Sequence, residues 1–302
     1  LSKLLQLTFG CSANESACRK ATQMCRRHTT KHFIGGTFIY WYNGKLIESR
    51  TLELEIDDPG LLYGATVFTT LRVYNNSLDS RLTHWRSHCD RLKFSLQTFG
   101  WQTPDEERLR QGAEIMMTHF PVLRIAVFPN GREWITGRLL PNNLTENQKN
   151  GLIAALAEPE FARSLPSHKT GNYLSAWLAK ANAQKLDAQE VILLDTAGNW
   201  LETSTGNLWG WRDGCWWTPP LTAGILPGVV RGELVDWLLK KQHQVPEEPW
   251  TPELVKGFEA IAYSNSVVEI IPLRTVIWHS GKLEYNPHHP CFQQLLIFFV
   301  AL

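Results

Sequence analysis

Tight-turn signatures recur along this 302-residue chain, and they constrain its sheets more than any other feature. Residues 38–42 and 45–47 flank Asn43-Gly44, residues 122–128 and 133–139 flank Pro129-Asn130-Gly131, and residues 207–211 and 215–218 flank Asp213-Gly214. Each is a pair of β-rich runs joined by residues that accept positive φ, the pattern of an antiparallel hairpin. A further strand pair, 66–73 with 77–81, is expected around Asn75-Asn76. Strands are also expected at 152–157, 190–194 and 260–263. Helices are expected over 82–99, from Thr103-Pro104-Asp105-Glu106 onward, over 173–186 and 227–241, and near the C-terminus. The pattern predicts a mixed α/β chain of the α+β type, with largely antiparallel strands and no internal repeat.

At about 100 to 200 residues per domain the length favours two domains, and a hydrophobic content of 43% is enough to bury their cores. The polar, turn-rich stretch 141–151 marks the junction, giving a small domain at 36–146 and a larger one at 147–302. Residues 1–35 stand apart. They hold Lys3, Arg19, Lys20, Arg26, Arg27 and Lys31 against the single acid Glu15, and are expected to be a disordered extension outside the fold. A net charge of +1 provides no field for non-specific nucleic-acid binding. None of Cys11, Cys18, Cys25, Cys89, Cys215 and Cys291 forms a C-x-x-C pair, so no zinc or redox motif is expected. The absence of an apolar run of 18 residues points to a cytoplasmic protein without a membrane helix.

Four local features can carry chemistry. Gly224-Ile225-Leu226-Pro227-Gly228-Val229-Val230-Arg231 runs a glycine-containing turn into a helix, whose free N–H groups suit a phosphate. His88-x-x-Arg91-Leu92 places an arginine on a helix face, where it can add a forked positive charge. Lys169-Thr170-Gly171-Asn172-Tyr173 sets a lysine before a helix; desolvation there would leave the amine uncharged and able to form an imine. Glu202 sits at a turn between two apolar runs, and a buried carboxylate needs a partner such as a protonated ring nitrogen. An amine, a ring-nitrogen partner and a phosphate cradle are together what pyridoxal phosphate demands of a protein.

With these motifs in order, the chain resembles the class IV aminotransferase family of pyridoxal-phosphate enzymes. That family includes branched-chain and D-amino-acid aminotransferases and 4-amino-4-deoxychorismate lyase. The likeness runs from about Phe38 to Pro272: Leu62-Tyr63-Gly64 with Val67-Phe68, His88-x-x-Arg91-Leu92, Lys169-x-x-Asn172-Tyr173, Glu202 with Asn207-Leu208, residues 226–231, and Ser264-Asn265-Ser266. The resemblance implies a two-domain, D-amino-acid-aminotransferase-like fold of type IV and a homodimer whose second subunit borders the substrate pocket. By the same resemblance, Lys169 would bind pyridoxal 5'-phosphate covalently and move protons, Glu202 would keep its ring nitrogen protonated, and Tyr173 would hydrogen-bond its phenolic oxygen. Arg91, the amides of Val229 and Val230, and the Ser266 hydroxyl would grip its phosphate.

The strand Val67-Phe68-Thr69-Thr70-Leu71-Arg72-Val73-Tyr74 alternates with period two, placing Phe68, Thr70, Arg72 and Tyr74 on one face. Its wording is similar to the deoxychorismate-lyase branch, whereas branched-chain aminotransferases usually carry an acid and a glycine in place of the two threonines. The expected substrate therefore carries an amine and two carboxylates. Tyr63, Arg72 and Arg124 are the candidates for binding it, and Thr69 or Thr70 for assisting the leaving group. The expected products are 4-aminobenzoate and pyruvate, for folate synthesis, with branched-chain or D-amino-acid transamination as the alternative. Thirteen tryptophans raise a different possibility, an aromatic binding module; alternation of Trp209 and Trp211 beside Leu208 favours core packing instead.

Overall fold

A computed structural model of the chain describes residues 38–278 and 281–300. The basic leader, with Cys11, Cys18 and Cys25, lies outside the described residues.

The first sheet is antiparallel throughout. Its strands β1 (Ile39–Tyr42), β2 (Lys45–Glu48), β3 (Val67–Arg72), β4 (Val122–Val127) and β5 (Glu133–Arg138) lie in the order β2-β1-β5-β4-β3. Asn43 and Gly44 take φ of 46° and 84°, the two successive left-handed residues that a two-residue hairpin turn needs. Period-two alternation divides the faces. Val67, Leu71, Leu123, Ile125, Val127 and Ile135 pack into a core with Leu92 and Leu96 of the helix Trp85–Thr98 and with Leu109, Ala113 and Met116 of the helix Glu106–Met117. The opposite face carries Phe68, Thr70, Arg72, Arg124 and Arg138, as the registers Thr70↔Arg124 and Arg124↔Thr136 require.

The second sheet comprises β6 (Leu152–Leu156), β7 (Glu190–Leu194), β8 (Trp200–Thr203), β9 (Asn207–Arg212), β10 (Cys215–Trp217), β11 (Ala260–Asn265), β12 (Glu269–Trp278) and β13 (Gly281–Glu284). Its order is β10-β9-β11-β12-β6-β7-β8, and β8 also pairs with β9, closing six strands into a ring; β13 extends from β12. Only the β12–β6 and β6–β7 pairings are parallel. Trp200, Trp250, Ile192, Leu208, Ile261 and Ile271 share one core, while Trp209 and Trp216 pack with the helices Val229–Lys240 and Phe292–Val300. Trp200, Trp209, Trp216 and Trp250 are all fully buried, so they serve packing and not an aromatic binding surface.

Three expectations change. Residues 77–81 form no strand: only a Tyr74↔Ser77 bridge follows the Asn75-Asn76 turn, because Thr83 Oγ1 takes the Tyr74 N–H at 3.0 Å and donates to the Ser77 carbonyl at 2.9 Å. Residues 141–151 contain the helix Leu144–Asn150, which packs against β12. Glu202 lies on strand β8, not in a turn, and pairs with Asn207 of β9. The ten-residue β12 escaped sequence analysis because Pro272, lacking an N–H, argues against a central strand. It is accommodated beside a register shift between Leu273 and Thr275 on the β6 side.

Candidate active site

The outer edge of β3 would expose unpaired backbone groups if nothing covered it. Two segments of the larger half cover it. Phe68 N–H donates to the Lys169 carbonyl at 2.8 Å, Gly171 N–H to the Thr66 carbonyl at 2.7 Å, and Arg72 N–H to the Ser266 carbonyl at 3.1 Å. Lys169 and Ser266 are thus stitched by main chain to one strand, and both line a cavity of about 430 Å³, within the size range of small-molecule sites.

Lys169 Nζ lies 4.9 Å from the Phe68 ring centroid and 5.5 Å from that of Tyr173, and finds no hydrogen-bond acceptor among the described residues. Burial holds its pKa well below the usual lysine range, reinforced by Arg163 and Arg91 and opposed by Glu202. The site therefore favours a free amine. Glu202 is itself buried: Oε2 accepts the Leu226 N–H at 3.2 Å, while Oε1 has no hydrogen-bond partner and lies 3.7 Å from Arg163 Nη1. Burial pushes this carboxyl up and Arg163 pulls it down.

The β8–β9 hairpin that carries Glu202 also shapes the turn before the helix Val229–Lys240. Asn207 Nδ2 donates to the Leu226 carbonyl at 2.9 Å. A Cβ at Gly228 would fall 2.0 Å from Asn207 Oδ1, so only glycine fits this approach. Gly228 caps the helix with no side-chain hydrogen bond, leaving the Val229 and Val230 end, which lines the cavity, without a side-chain acceptor. Arg91 reaches the same turn. Its Nη1 donates to the Pro227 carbonyl at 3.4 Å and its Nη2 to Thr69 Oγ1 at 2.8 Å, while Nε is buried without a partner. Burial lowers the Arg91 pKa to about 10.

Lys169, Glu202, Arg91, Tyr173, Val229, Val230, Ser266, Thr70 and Arg124 all border this cavity. Tyr173 donates its hydroxyl to the Ser204 carbonyl, and burial raises its pKa to about 12. Three other candidates lie elsewhere. Thr69 is on the helix-facing side of β3, its hydroxyl committed to Arg91 and to His88 Nδ1 at 2.5 Å. Thr69 Oγ1 accepts from Arg91 and shares a hydrogen bond with His88 Nδ1, while burial and the neighbouring Arg91 hold the His88 pKa well below the usual histidine range. Arg72 is engaged by Glu269 at 2.9 Å and stacks over Tyr74. Tyr63 is 75% exposed and does not line the cavity in this chain.

Sequence analysis missed Arg163, Arg138, Lys180 and Glu190. Arg163 donates to the His168 carbonyl at 2.8 Å, which fixes it between Glu202 and the residue preceding Lys169; a lone arginine in a loop carries no motif. Glu190 is buried and accepts from Lys180 at 3.2 Å, from Thr205 Oγ1 at 2.8 Å and from Ser204 Oγ, bracing the loop after Glu202. Among the cations lining the cavity, Arg163 meets Glu202, Lys180 meets Glu190 and Arg231 meets Glu247. Arg91, Arg124 and Arg138 meet no carboxylate among the described residues. Arg138 adds to the burial that lowers the Arg124 pKa, so a wall of such unmatched cations is suited to anionic ligands.

The family model described as amino-transferase class IV matches residues 66–276. The chain is 25% identical over 270 residues to a branched-chain-amino-acid aminotransferase of Escherichia coli strain K12, spanning 78% of this chain and 84% of that protein. It is 20% identical over 264 residues to an aminodeoxychorismate lyase of Vibrio harveyi, spanning 82% and 94%. The fold is similar to that of a hypothetical aminotransferase from Mycobacterium tuberculosis in its PLP-bound form, with a TM-score of 0.73 and 20% identity over 85% of this chain and 97% of that one.

Proposed function

The chain belongs to the class IV aminotransferase family, and from that premise we propose that it is a 4-amino-4-deoxychorismate lyase releasing 4-aminobenzoate and pyruvate. Its cofactor is pyridoxal phosphate. The residues present fit that group at three points: a buried amine on Lys169, a buried carboxylate oxygen of Glu202 lacking a hydrogen bond, and the capless helix end beside the unpartnered Arg91 Nε. Lys169 would hold the aldehyde carbon, Glu202 the ring nitrogen, and Arg91 with Val229, Val230 and Ser266 the phosphate. Bound there, pyridoxal phosphate supplies an electron sink conjugated to the substrate's amine-bearing carbon.

The observation that supports elimination over amino transfer is the cross-strand pair Thr70–Arg124 on the cavity wall. Arg124 Cζ lies 3.5 Å from the Phe68 ring centroid and has no carboxylate partner among the described residues, which suits it to a substrate carboxylate. Lys169 removes the proton from the ring carbon bearing the amine. The carbon–oxygen bond to the enolpyruvyl group then breaks and the ring becomes aromatic; Thr70 donates to the departing oxygen and recovers its proton from the Lys169 ammonium, and the released enolpyruvate ketonises to pyruvate. Arg163, 3.7 Å from Oε1, favours the charged form of Glu202 against the burial that raises its pKa.

Transamination of branched-chain or D-amino acids is the second reading, favoured by the branched-chain aminotransferase relative at 25% identity and by Tyr173 in its Lys-x-x-Asn-Tyr setting. Products separate the two. Incubated with 4-amino-4-deoxychorismate and no keto acid, the purified enzyme is expected to release pyruvate and 4-aminobenzoate in equal amounts; amino transfer without pyruvate would refute the lyase assignment.

Thr69, although turned away from the cavity, is expected to matter through Arg91. Thr69→Val removes the acceptor for a charged donor, a hydrogen bond worth roughly 1.5–3 kcal/mol. Cofactor affinity, measured by equilibrium dialysis, should weaken by about tenfold or more, and Thr69→Ser should retain it. Equal affinity in the valine variant would show that Arg91 needs no such support.

A further inference from the structure

Arg138 is a half-buried cation with no task in the chemistry above. The β4–β5 register sets Arg124 opposite Thr136, and Arg138 follows two residues later on the same face, diagonal to Arg124. Such diagonal positions lie about 7–8 Å apart. Both arginines line the one cavity, and neither makes a hydrogen bond or ion pair among the described residues. The remaining cations of the wall are accounted for: three are matched by Glu202, Glu190 and Glu247, and Arg91 faces the phosphate turn. A desolvated guanidinium is a forked donor set without an acceptor, and a carboxylate is the planar anion that fits it.

We infer that Arg138 is a second carboxylate-recognising residue, so that Arg124 and Arg138 together select ligands bearing two carboxylates over ligands bearing one. This deepens the lyase reading, on which it rests for the placement of a first carboxylate at Arg124. It accounts for two separate cations on adjacent strands, where a monocarboxylate needs one.

Calorimetric titration of the holoenzyme with isophthalate and with benzoate tests this selection. The wild-type protein should bind the diacid at least tenfold more tightly. Arg138→Gln should reduce that preference to within about twofold while leaving benzoate affinity unchanged. Arg138→Lys, which keeps the charge and loses the fork, should retain an intermediate preference, and an unaltered cofactor absorbance reports that each variant is folded. A tenfold preference surviving in Arg138→Gln, or no preference in the wild type, overturns the inference. If the wild type discriminates and Arg138→Gln does not, yet no pyruvate is released from 4-amino-4-deoxychorismate, the lyase reading fails and the role of Arg138 stands.

Discussion

Lys169→Ala is expected to abolish the near-visible absorbance of the lysine-bound cofactor and to lower turnover by about 10²–10⁴-fold, the range lost with a positioned proton-transfer group. The expectation follows from burial, main-chain anchoring and charge acting on one side chain. The Lys169 carbonyl is fixed by Phe68 N–H, and Gly171 N–H is fixed by Thr66, so Nζ has a defined place against the Phe68 and Tyr173 rings. Lys169→Arg would install a permanent cation and lose both the absorbance and the reaction, since guanidinium keeps its proton. Spectra and pyruvate release, recorded together, check both effects. Retained absorbance in the alanine variant would show that another amine holds the cofactor.

Glu202→Gln should have the second largest effect. The amide preserves shape and removes the charge that opposes Arg163 and Arg91 beside Lys169. Turnover is expected to fall by about 10²-fold or more, as when a preorganised electrostatic partner is lost. A second readout separates this from structural damage. In the cofactor-free protein, capture of added pyridoxal phosphate requires uncharged Lys169, so its rate falls as pH drops through the depressed lysine pKa. Removing the negative charge depresses that pKa further and moves the falling limb to lower pH. A limb that stays in place would separate Glu202 electrostatically from Lys169. The same shift links to stability. Between the depressed native pKa and the unfolded value of about 10.4, the unfolded chain holds a proton on Lys169 that the native chain lacks. The lysine's contribution therefore rises with pH across that window and is least favourable below it.

Local grammar made much of the fold legible. Asn43-Gly44 and Asp213-Gly214 lie in the hairpin turns they imply, because positive φ is demanded of the turn residues themselves. The β12 strand was hidden by Pro272, and the ring of six strands depends on pairings between residues far apart in the chain. In the site, order along the chain brought out the residues that border the cavity, but period two alone did not say what each face meets. It set Thr69 beside Val67 and Leu71, where His88 and Arg91 consume its hydroxyl. Arg72 shares the cavity-side face, yet its charge is taken by Glu269, 197 residues away, an encounter no local pattern encodes. Arg163 and Arg138 became visible only once the charges around the cavity were paired off.

Glu202 and Asn207 form the first cross-strand pair of a hairpin, and both reach Leu226, one through its N–H and the other through its carbonyl. In the proposed reading, the acid for the ring nitrogen and the turn for the phosphate are therefore tied together through Leu226 on the eight-stranded sheet, whereas Thr70, Arg124 and Arg138 belong to the five-stranded sheet. Selection can rework those three positions for new substrates with little disturbance to that tie, a division of labour through which one scaffold diversifies its reactions while keeping its coenzyme.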